Sequence, residues 1–290
     1  MRRNVGGPGE FERRGTRARA LQSSASAAVP LAVLAAVLDH QRVRAASPNV
    51  QPAVAAVASA ALPNRLLDRF PLLDLPPAAD PIANELGAAV ADLTGDGSPV
   101  PAPLAEAGAD LVHTNRHEQE ELVATWLDDP ALLDPRLALW IAVAAAPILE
   151  SAAARVEPPS REDWTGRACP MCGDAPQCSA IVEESGGFMQ GAPRYLICGR
   201  CASWWAFPRA VCPSCGEDDS RRISSYATDE WAWARVDACD TCRSYIKAFD
   251  LREKGSRDVV PLVDDVATLA LDLWAHETGL ERPRVSLAGV

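Results

Sequence analysis

The sequence CPMCG at residues 169–173 and the sequence CPSCG at residues 212–216 decide the fold of the C-terminal half of this chain. Each is followed by a plainer pair of the same spacing, CGRC at 198–201 and CDTC at 239–242. Two residues between cysteines let the backbone fold into a tight knuckle, so both sulfurs reach one metal ion at about 2.3 Å. The pattern predicts eight metal ligands: Cys169, Cys172, Cys198, Cys201, Cys212, Cys215, Cys239 and Cys242.

The spacing between knuckles favours sequential pairing, the first with the second and the third with the fourth, over an interleaved arrangement. Each internal stretch has the pattern of a β-hairpin, which returns the chain to its first knuckle. The predicted strands are Ser179–Glu184 with Arg194–Ile197, and Arg222–Ala227 with Trp231–Val236. The chain therefore contains one module used twice, of the kind found in rubredoxins and zinc ribbons.

The cysteines admit three kinds of chemistry. Structural disulfides require an oxidising compartment, and this spacing suits them poorly. A thiol oxidoreductase needs one exposed pair at a helix start, whereas these pairs belong to hairpins. Metal binding fits all four pairs, with zinc and iron both acceptable to four thiolates. The ninth cysteine, Cys178, has no companion at ligand spacing and is expected to be a buried free thiol.

The residues before the cysteines have the composition of a helical domain. Residues 21–157 are rich in Ala and Leu, contain no cysteine and repeat their apolar positions at helical spacing. Asp134 is a suitable cap for a helix over 134–154, and another helix is predicted over 104–128. After the cysteines, one closing helix is predicted over 258–278. Its expected buried stripe is Val263, Val266, Ala267, Ala270, Leu273 and Trp274.

These segments give an α+β protein, with an all-α N-terminal domain followed by two tandem rubredoxin-like or zinc-ribbon modules and a C-terminal helix. The predicted parts are a disordered basic arm, the helical domain, the first module, the second module, and the C-terminal helix with its tail. They cover residues 1–20, 21–157, 165–210, 211–257 and 258–290.

The N-terminal region allows two interpretations. Arginines followed by the apolar run Ala25–Leu38 resemble a secretory signal, but Asp39 and the residues after it make a poor cleavage region. The same run also fits a helix face. Neither this 14-residue run nor the run Leu137–Leu149 reaches the roughly 20 apolar residues of a membrane span. We therefore expect a protein without a membrane span.

Charge and motifs exclude several function classes. The chain has 28 lysine and arginine residues against 39 acidic ones, a formal charge of −11, which disfavours electrostatic binding of nucleic acid. The sequence has no phosphate-binding glycine loop and no nucleophile paired with a base, so it offers no recognisable catalytic motif. Nucleic-acid or protein binding by zinc ribbons, and rubredoxin-type electron transfer, remain as alternatives.

Three stretches resemble the formate dehydrogenase accessory protein family (FdhE-like). They are RYLICGRC at 194–201, CDTCRSYIK at 239–247 and DDVATLALD at 264–272. The resemblance runs from about residue 165 to residue 283 and is specific, because the order of four knuckles and the Asp-Asp helix occur together. The preceding residues fit the family only as a helical domain of similar length.

The resemblance implies a cytoplasmic, non-catalytic assembly factor needed for active formate dehydrogenase, with the catalytic subunit of that enzyme as partner. It implies two metal ions per chain, with rubredoxin-type iron favoured over zinc. It also assigns Cys169, Cys172, Cys198 and Cys201 to one ion, and Cys212, Cys215, Cys239 and Cys242 to the other.

Overall fold

The computed structural model of the chain describes residues 7–23, 27–59, 70–183, 192–252 and 258–285. The chain divides into two compact units. The helical unit contains Val5–Thr16 and Ala32–Glu157, and the sheet unit contains Arg17–Leu31 and Pro158–Val290. A helical N-terminal region followed by a sheet region confirms the predicted α+β class.

The described residues form the helices α1 Pro8–Leu21, α2 Ala28–Ala46, α3 Gln51–Ser59, α4 Ala79–Leu93, α5 Ala102–His113, α6 Arg116–Asp128, α7 Pro135–Arg155, α8 Pro261–Ala267 and α9 Leu269–Glu277. Their strands are β1 Pro176–Ile181, β2 Arg194–Cys198, β3 Trp204–Phe207, β4 Ile223–Ala227, β5 Ala234–Cys239 and β6 Tyr245–Asp250.

Helix α7 is the centre of the helical unit, where it packs against α3, α4 and α5. Its N-terminus is fixed by the Asp134 side chain, which accepts a hydrogen bond from the Arg136 backbone N–H. Trp140, Ile141 and Ile148 are almost wholly buried on its core side. The helix predicted over 134–154 is therefore confirmed, with Pro147 inside it.

The single helix predicted over 104–128 is wrong, because the structure has two helices there. Asn115 starts α6 by accepting a hydrogen bond from the Glu118 backbone N–H at 3.0 Å. The Thr114 hydroxyl donates to the Leu111 carbonyl and ends α5. Two polar side chains in succession offer the backbone an alternative to continued helix, which the apolar spacing did not reveal.

The N-terminal arm predicted to be disordered over residues 1–20 is a helix from Pro8 onward. Phe11 is fully buried in the helical unit, and Arg14 makes a buried ion pair with Glu150. Tertiary contacts that are distant in sequence thus stabilise a segment whose local composition favours disorder. Residues 1–6 lie outside the described part of the chain.

Six strands form one sheet in the order β3-β2-β1-β6-β5-β4. The strands of each half pair antiparallel, as the two predicted hairpins require. The predicted turn at residues 185–187 lies outside the described residues. The halves are joined by parallel pairing of β1 with β6, with Ser179 beside Ala248. The two modules predicted in tandem are thus halves of one sheet.

The closing helix predicted over 258–278 is also two helices, separated at Thr268. The buried Lys247 ammonium donates to the Thr268 carbonyl at 3.4 Å and to its hydroxyl at 3.2 Å, which stabilises the interruption. After Thr268 the second helix does not continue the buried face of the first. Leu273 and Trp274, predicted to be buried, are therefore 49% and 36% exposed.

Among the described residues, one helix, Pro135–Arg155, is long and apolar enough to cross a membrane. From the sequence, no segment is expected to be long enough to span a membrane, because the apolar run counted in this region is only Leu137–Leu149, whereas the apolar helix extends beyond that run on both sides. Two thirds of the apolar window, 67%, is buried inside the protein. This is the burial expected of a core helix.

Candidate metal centres

The structure gathers the eight predicted ligands into two groups of four sulfurs. The Cys169 group contains Cys169, Cys172, Cys198 and Cys201, and the Cys212 group contains Cys212, Cys215, Cys239 and Cys242. Within each group the sulfurs lie within 4.8 Å of one another, and each group could hold one metal ion.

The sulfur separations fit tetrahedral coordination. In the Cys169 group, Cys169 Sγ lies 3.6 Å from Cys201 Sγ, and Cys172 Sγ lies 3.4 Å from Cys198 Sγ. The two corresponding separations in the Cys212 group are both 3.7 Å. A tetrahedron with metal–sulfur bonds of about 2.3 Å has sulfur separations of about 3.8 Å. The donor set therefore suits zinc or iron.

The first knuckle of each group is closed by the same two backbone hydrogen bonds. Cys169 N–H donates to the Asp174 carbonyl at 2.8 Å, and Gly173 N–H donates to the Cys169 carbonyl at 2.8 Å. Cys212 repeats this with Glu217 and Gly216, at 2.8 and 3.1 Å. Both glycines have positive φ, +81° and +85°, so the left-handed position expected after the second cysteine is present.

The plainer knuckles use the same conformation without glycine. Ala202 and Arg243, which follow Cys201 and Cys242, have φ of +56° and +58°. The sequence gives no signal for this, because neither residue is typical of the left-handed region. Each of these knuckles is closed by one backbone hydrogen bond: the Cys198 N–H donates to the Ser203 carbonyl, and the Cys239 N–H donates to the Ser244 carbonyl.

Polar groups approach the sulfurs in both sites. The backbone N–H of Arg200 donates to Cys198 Sγ at 3.3 Å, and that of Ser214 donates to Cys212 Sγ at 3.4 Å. Ser203 Oγ lies 3.2 Å from Cys201 Sγ. Ser244 Oγ lies 2.9 Å from Cys242 Sγ. The two backbone N–H donors stabilise negative charge on the ligand sulfurs.

The protons of the thiols are distributed unequally. Burial raises the pKa of the Cys169 and Cys172 thiols well above the usual cysteine value. Burial acts in the same direction on Cys198, but hydrogen bonds with the other three thiols outweigh it and hold its pKa well below that value. A cation among the four sulfurs displaces the remaining protons, so metal binding strengthens as the pH rises.

Around the Cys169 group the structure adds charged residues that sequence reasoning missed. The buried Asp174 carboxylate lies 3.3 Å from Arg200 Nε and also accepts a hydrogen bond from Arg284. The arginine at 284 lies far from the knuckles in sequence, and no spacing rule connects it to them. Cys178 is fully buried on β1, as predicted, and burial raises the pKa of its thiol.

Two family models match the cysteine-bearing part of the chain. The model described as the FdhE central domain matches residues 168–209, and the model described as the FdhE C-terminal domain matches residues 211–288. Each matched segment contains one complete group of four cysteines.

Curated relatives carry the same name. A protein FdhE homolog of Aquifex aeolicus (strain VF5) is 32% identical over 170 residues, which are 58% of this chain and 58% of the relative. One of Rhizobium meliloti (strain 1021) is 34% identical over 63% of this chain and 58% of the relative. One of Shewanella oneidensis is 39% identical over 38% of this chain and 34% of the relative. The alignments thus span less than two thirds of these relatives.

A solved structure shares the fold over nearly the whole chain. It is described as the crystal structure of the FdhE protein from Pseudomonas aeruginosa, and it superposes with a TM-score of 0.71 at 24% identity. The superposition covers 99% of this chain and 96% of the other. The helical region, which the family models do not match, therefore has the same fold as the corresponding part of that protein.

Proposed function

This chain belongs to the FdhE family, and on that basis we propose that it is a cytoplasmic accessory factor required for active formate dehydrogenase. In this role it binds the catalytic subunit of that enzyme and does not itself catalyse a reaction. The observation that carries the proposal is that the two FdhE domain matches, residues 168–209 and 211–288, coincide with the two four-cysteine groups.

The chemistry of the two groups supports a role without hydrolytic catalysis. A metal ion held by four cysteines has no open coordination position for a substrate or an activated water. We propose that all eight cysteines of the two groups are ligands. Iron, which the resemblance favours, would supply a one-electron couple at these sites, whereas zinc would supply only structural stability.

The N-terminal arginines give little support to the alternative of nucleic-acid binding. Arg13 pairs with Glu10 at 2.6 Å, Arg14 pairs with Glu150, and Arg17 pairs with Asp264 at 2.6 Å. Guanidinium groups already paired with carboxylates contribute less to a phosphate-binding surface. Because these three arginines of α1 are already paired with carboxylates, the helix fits a protein that binds another protein better than one that binds nucleic acid.

The proposal is tested in a strain deleted for this gene, complemented by the tagged full chain under anoxic conditions. We expect formate dehydrogenase activity to return and the catalytic subunit to be recovered with the tag. The variants Cys172→Ser and Cys215→Ser should fail to restore activity, while His117→Gln, on an exposed helix face, should restore it. Full activity in the uncomplemented deletion strain contradicts the proposal.

A further inference from the structure

The two four-cysteine groups differ in their access to solvent. All four cysteines of the Cys169 group are buried. In the Cys212 group, Cys212 and Cys239 are buried, whereas Cys215 and Cys242, the second cysteine of each knuckle, are exposed. One side of the second group therefore faces solvent.

Corresponding positions in the two modules explain the difference. Between the first two cysteines, Met171 is 1% exposed in the first module, whereas its counterpart Ser214 is partly exposed. After the last cysteine, Ala202 is 2% exposed, whereas its counterpart Arg243 is exposed. At these two positions the first module has buried apolar side chains, and the second has polar side chains that reach solvent.

Gly199 shows how the first group is covered. A Cβ atom at this position would lie 2.6 Å from Gln177 Oε1 and 3.2 Å from Arg284 Nε, because these two side chains lie directly over the knuckle. Arg284 is fixed there by Asp174. The counterpart of Gly199 in the second module is Asp240, which is exposed. Arg284, near the C-terminus, thus covers the first group at Gly199, whereas the same end of the chain contacts the second group after its last cysteine, at Arg243.

Charged side chains of both signs lie at the exposed knuckles, where Arg167 donates to the Ser214 carbonyl and the exposed Arg243 follows Cys242. Asp240 and Asp218 are exposed, and the Glu217 carboxylate accepts a hydrogen bond from the Thr241 hydroxyl beside Cys242. By contrast, the carboxylate nearest the first group, Asp174, is buried between two arginines.

We propose that the two sites have separate roles: the Cys212 group exchanges its metal ion with thiols or chelators in solution, and the Cys169 group is a closed structural site. In the exchange, each incoming donor forms a bond to the metal as one metal–sulfur bond breaks, first at Cys215 or Cys242 and then at the other cysteines of the group. No electron is transferred. The inference rests on the proposed metal binding by both groups.

The test uses the full chain loaded with two zinc ions and then mixed with excess EDTA. Released zinc is followed by a colorimetric indicator, and the cysteines freed at each time are alkylated with iodoacetamide and located by mass spectrometry. We expect one equivalent to leave about tenfold or more faster than the other, as changes around a metal site commonly alter affinity by such factors. Cys215 and Cys242 should be labelled first, and the Cys169 group last.

Two matched variants distinguish the effect of Arg284 on the Cys169 group from a general loss of metal affinity. Arg284→Ala removes the cover of the first knuckle and should accelerate release of the slow equivalent only. Asp240→Gly, at the open knuckle, should leave the slow equivalent unchanged. Equal rates for both equivalents, or earlier labelling of the Cys169 group, overturn the proposal.

The experiment distinguishes failure of this inference from failure of the proposed metal binding. A chain that takes up no zinc contradicts metal binding itself and removes the inference with it. A chain that takes up one equivalent supports the inference if the Cys212 group is alkylated, and opposes it if the Cys169 group is. None of these results depends on formate dehydrogenase activity.

Discussion

His40 is a buried histidine of the helical unit that has one hydrogen-bond partner. Its side chain is 2% exposed, and Nδ1 lies 2.9 Å from the Asp92 carboxylate. Because a carboxylate only accepts, Nδ1 carries the proton, and the buried Nε2 has no partner among the described residues. Burial lowers the pKa of His40, against the raising effect of Asp92; Arg44 lowers it further and Glu85 opposes.

This lowered pKa predicts a loss of stability on mild acidification. The unfolded chain binds a proton at His40 near pH 6.5, whereas the folded chain does so only at lower pH. The contribution of neutral His40 to the stability of the folded chain is therefore complete above about pH 6.5, and it is lost as the pH falls toward the pKa of His40 in the folded chain. His40→Gln should flatten the dependence of the melting temperature between pH 7.5 and 5. Equal slopes for both proteins would contradict the assignment.

Residue identity made part of the knuckle geometry predictable. Gly173 and Gly216 indicate a left-handed position after the second cysteine, and both have it. Ala202 and Arg243 adopt the same conformation, which their side chains disfavour locally. Arg243 is fixed by a hydrogen bond from its guanidinium to the Thr278 carbonyl at 2.7 Å. Contacts of this kind depend on the completed fold and leave no mark in local sequence.

At the level of elements, two helical glycines of the helical unit have opposite environments. Gly108 on α5 is buried against α7, and a Cβ atom there would lie 2.6 Å from Cε2 of Trp140. The Trp140 indole is fixed by its hydrogen bond to the Leu104 carbonyl at 2.8 Å. Gly87 on α4 is exposed, and a Cβ atom there would meet no atom within 4 Å.

The two alanine variants should therefore change stability in opposite directions. Gly87→Ala should raise the free energy of unfolding by about 0.5–1 kcal/mol, because alanine loses less backbone entropy in a helix. Gly108→Ala should lower it by about 1–3 kcal/mol, because the added methyl group forces α5 and the indole apart. Urea unfolding followed by far-UV circular dichroism measures both. Stabilisation by both variants would show that α5 and α7 do not approach closely at Gly108.

Buried charge stabilises some of the elements that the sequence did not predict. Lys247 interrupts the apolar pattern of β6, yet its ammonium is fully buried and lies 3.1 Å from Asp265 Oδ1 and 2.5 Å from Asp272 Oδ2. Arg282 pairs with the same two carboxylates at 3.0 and 2.9 Å. A buried charge is tolerated only with such partners. Because the partners belong to α8, α9 and the segment after them, local pattern could not predict them.

At the scale of the whole molecule, the two units differ in what stabilises them. The helical unit is built on a conventional apolar core around α7, with Trp126 and Trp140 buried. The sheet unit has its own apolar cluster between the sheet and α9, and three of its strand connections, β2 to β3, β3 to β4 and β5 to β6, contain a knuckle. The division near residue 157 was visible in the composition. The composition did not show that Arg17–Leu31 belongs to the sheet unit, because this assignment depends on contacts between residues that are distant in sequence.

Removal of both metal ions should therefore unfold the sheet unit and leave the helical unit folded. Structural zinc contributes about 10–16 kcal/mol of apparent binding free energy in small domains, comparable to the entire stability of a typical protein. After exhaustive chelation, we expect most of the 222 nm helical signal to persist while residues 158–290 become sensitive to protease. Tryptophan fluorescence should shift to the red through exposure of the buried Trp205 and of the partly buried tryptophans of the sheet unit, since only Trp126 and Trp140 belong to the helical unit. Addition of zinc should reverse both changes. Complete loss of helicity on chelation would mean that the two units are not independently stable.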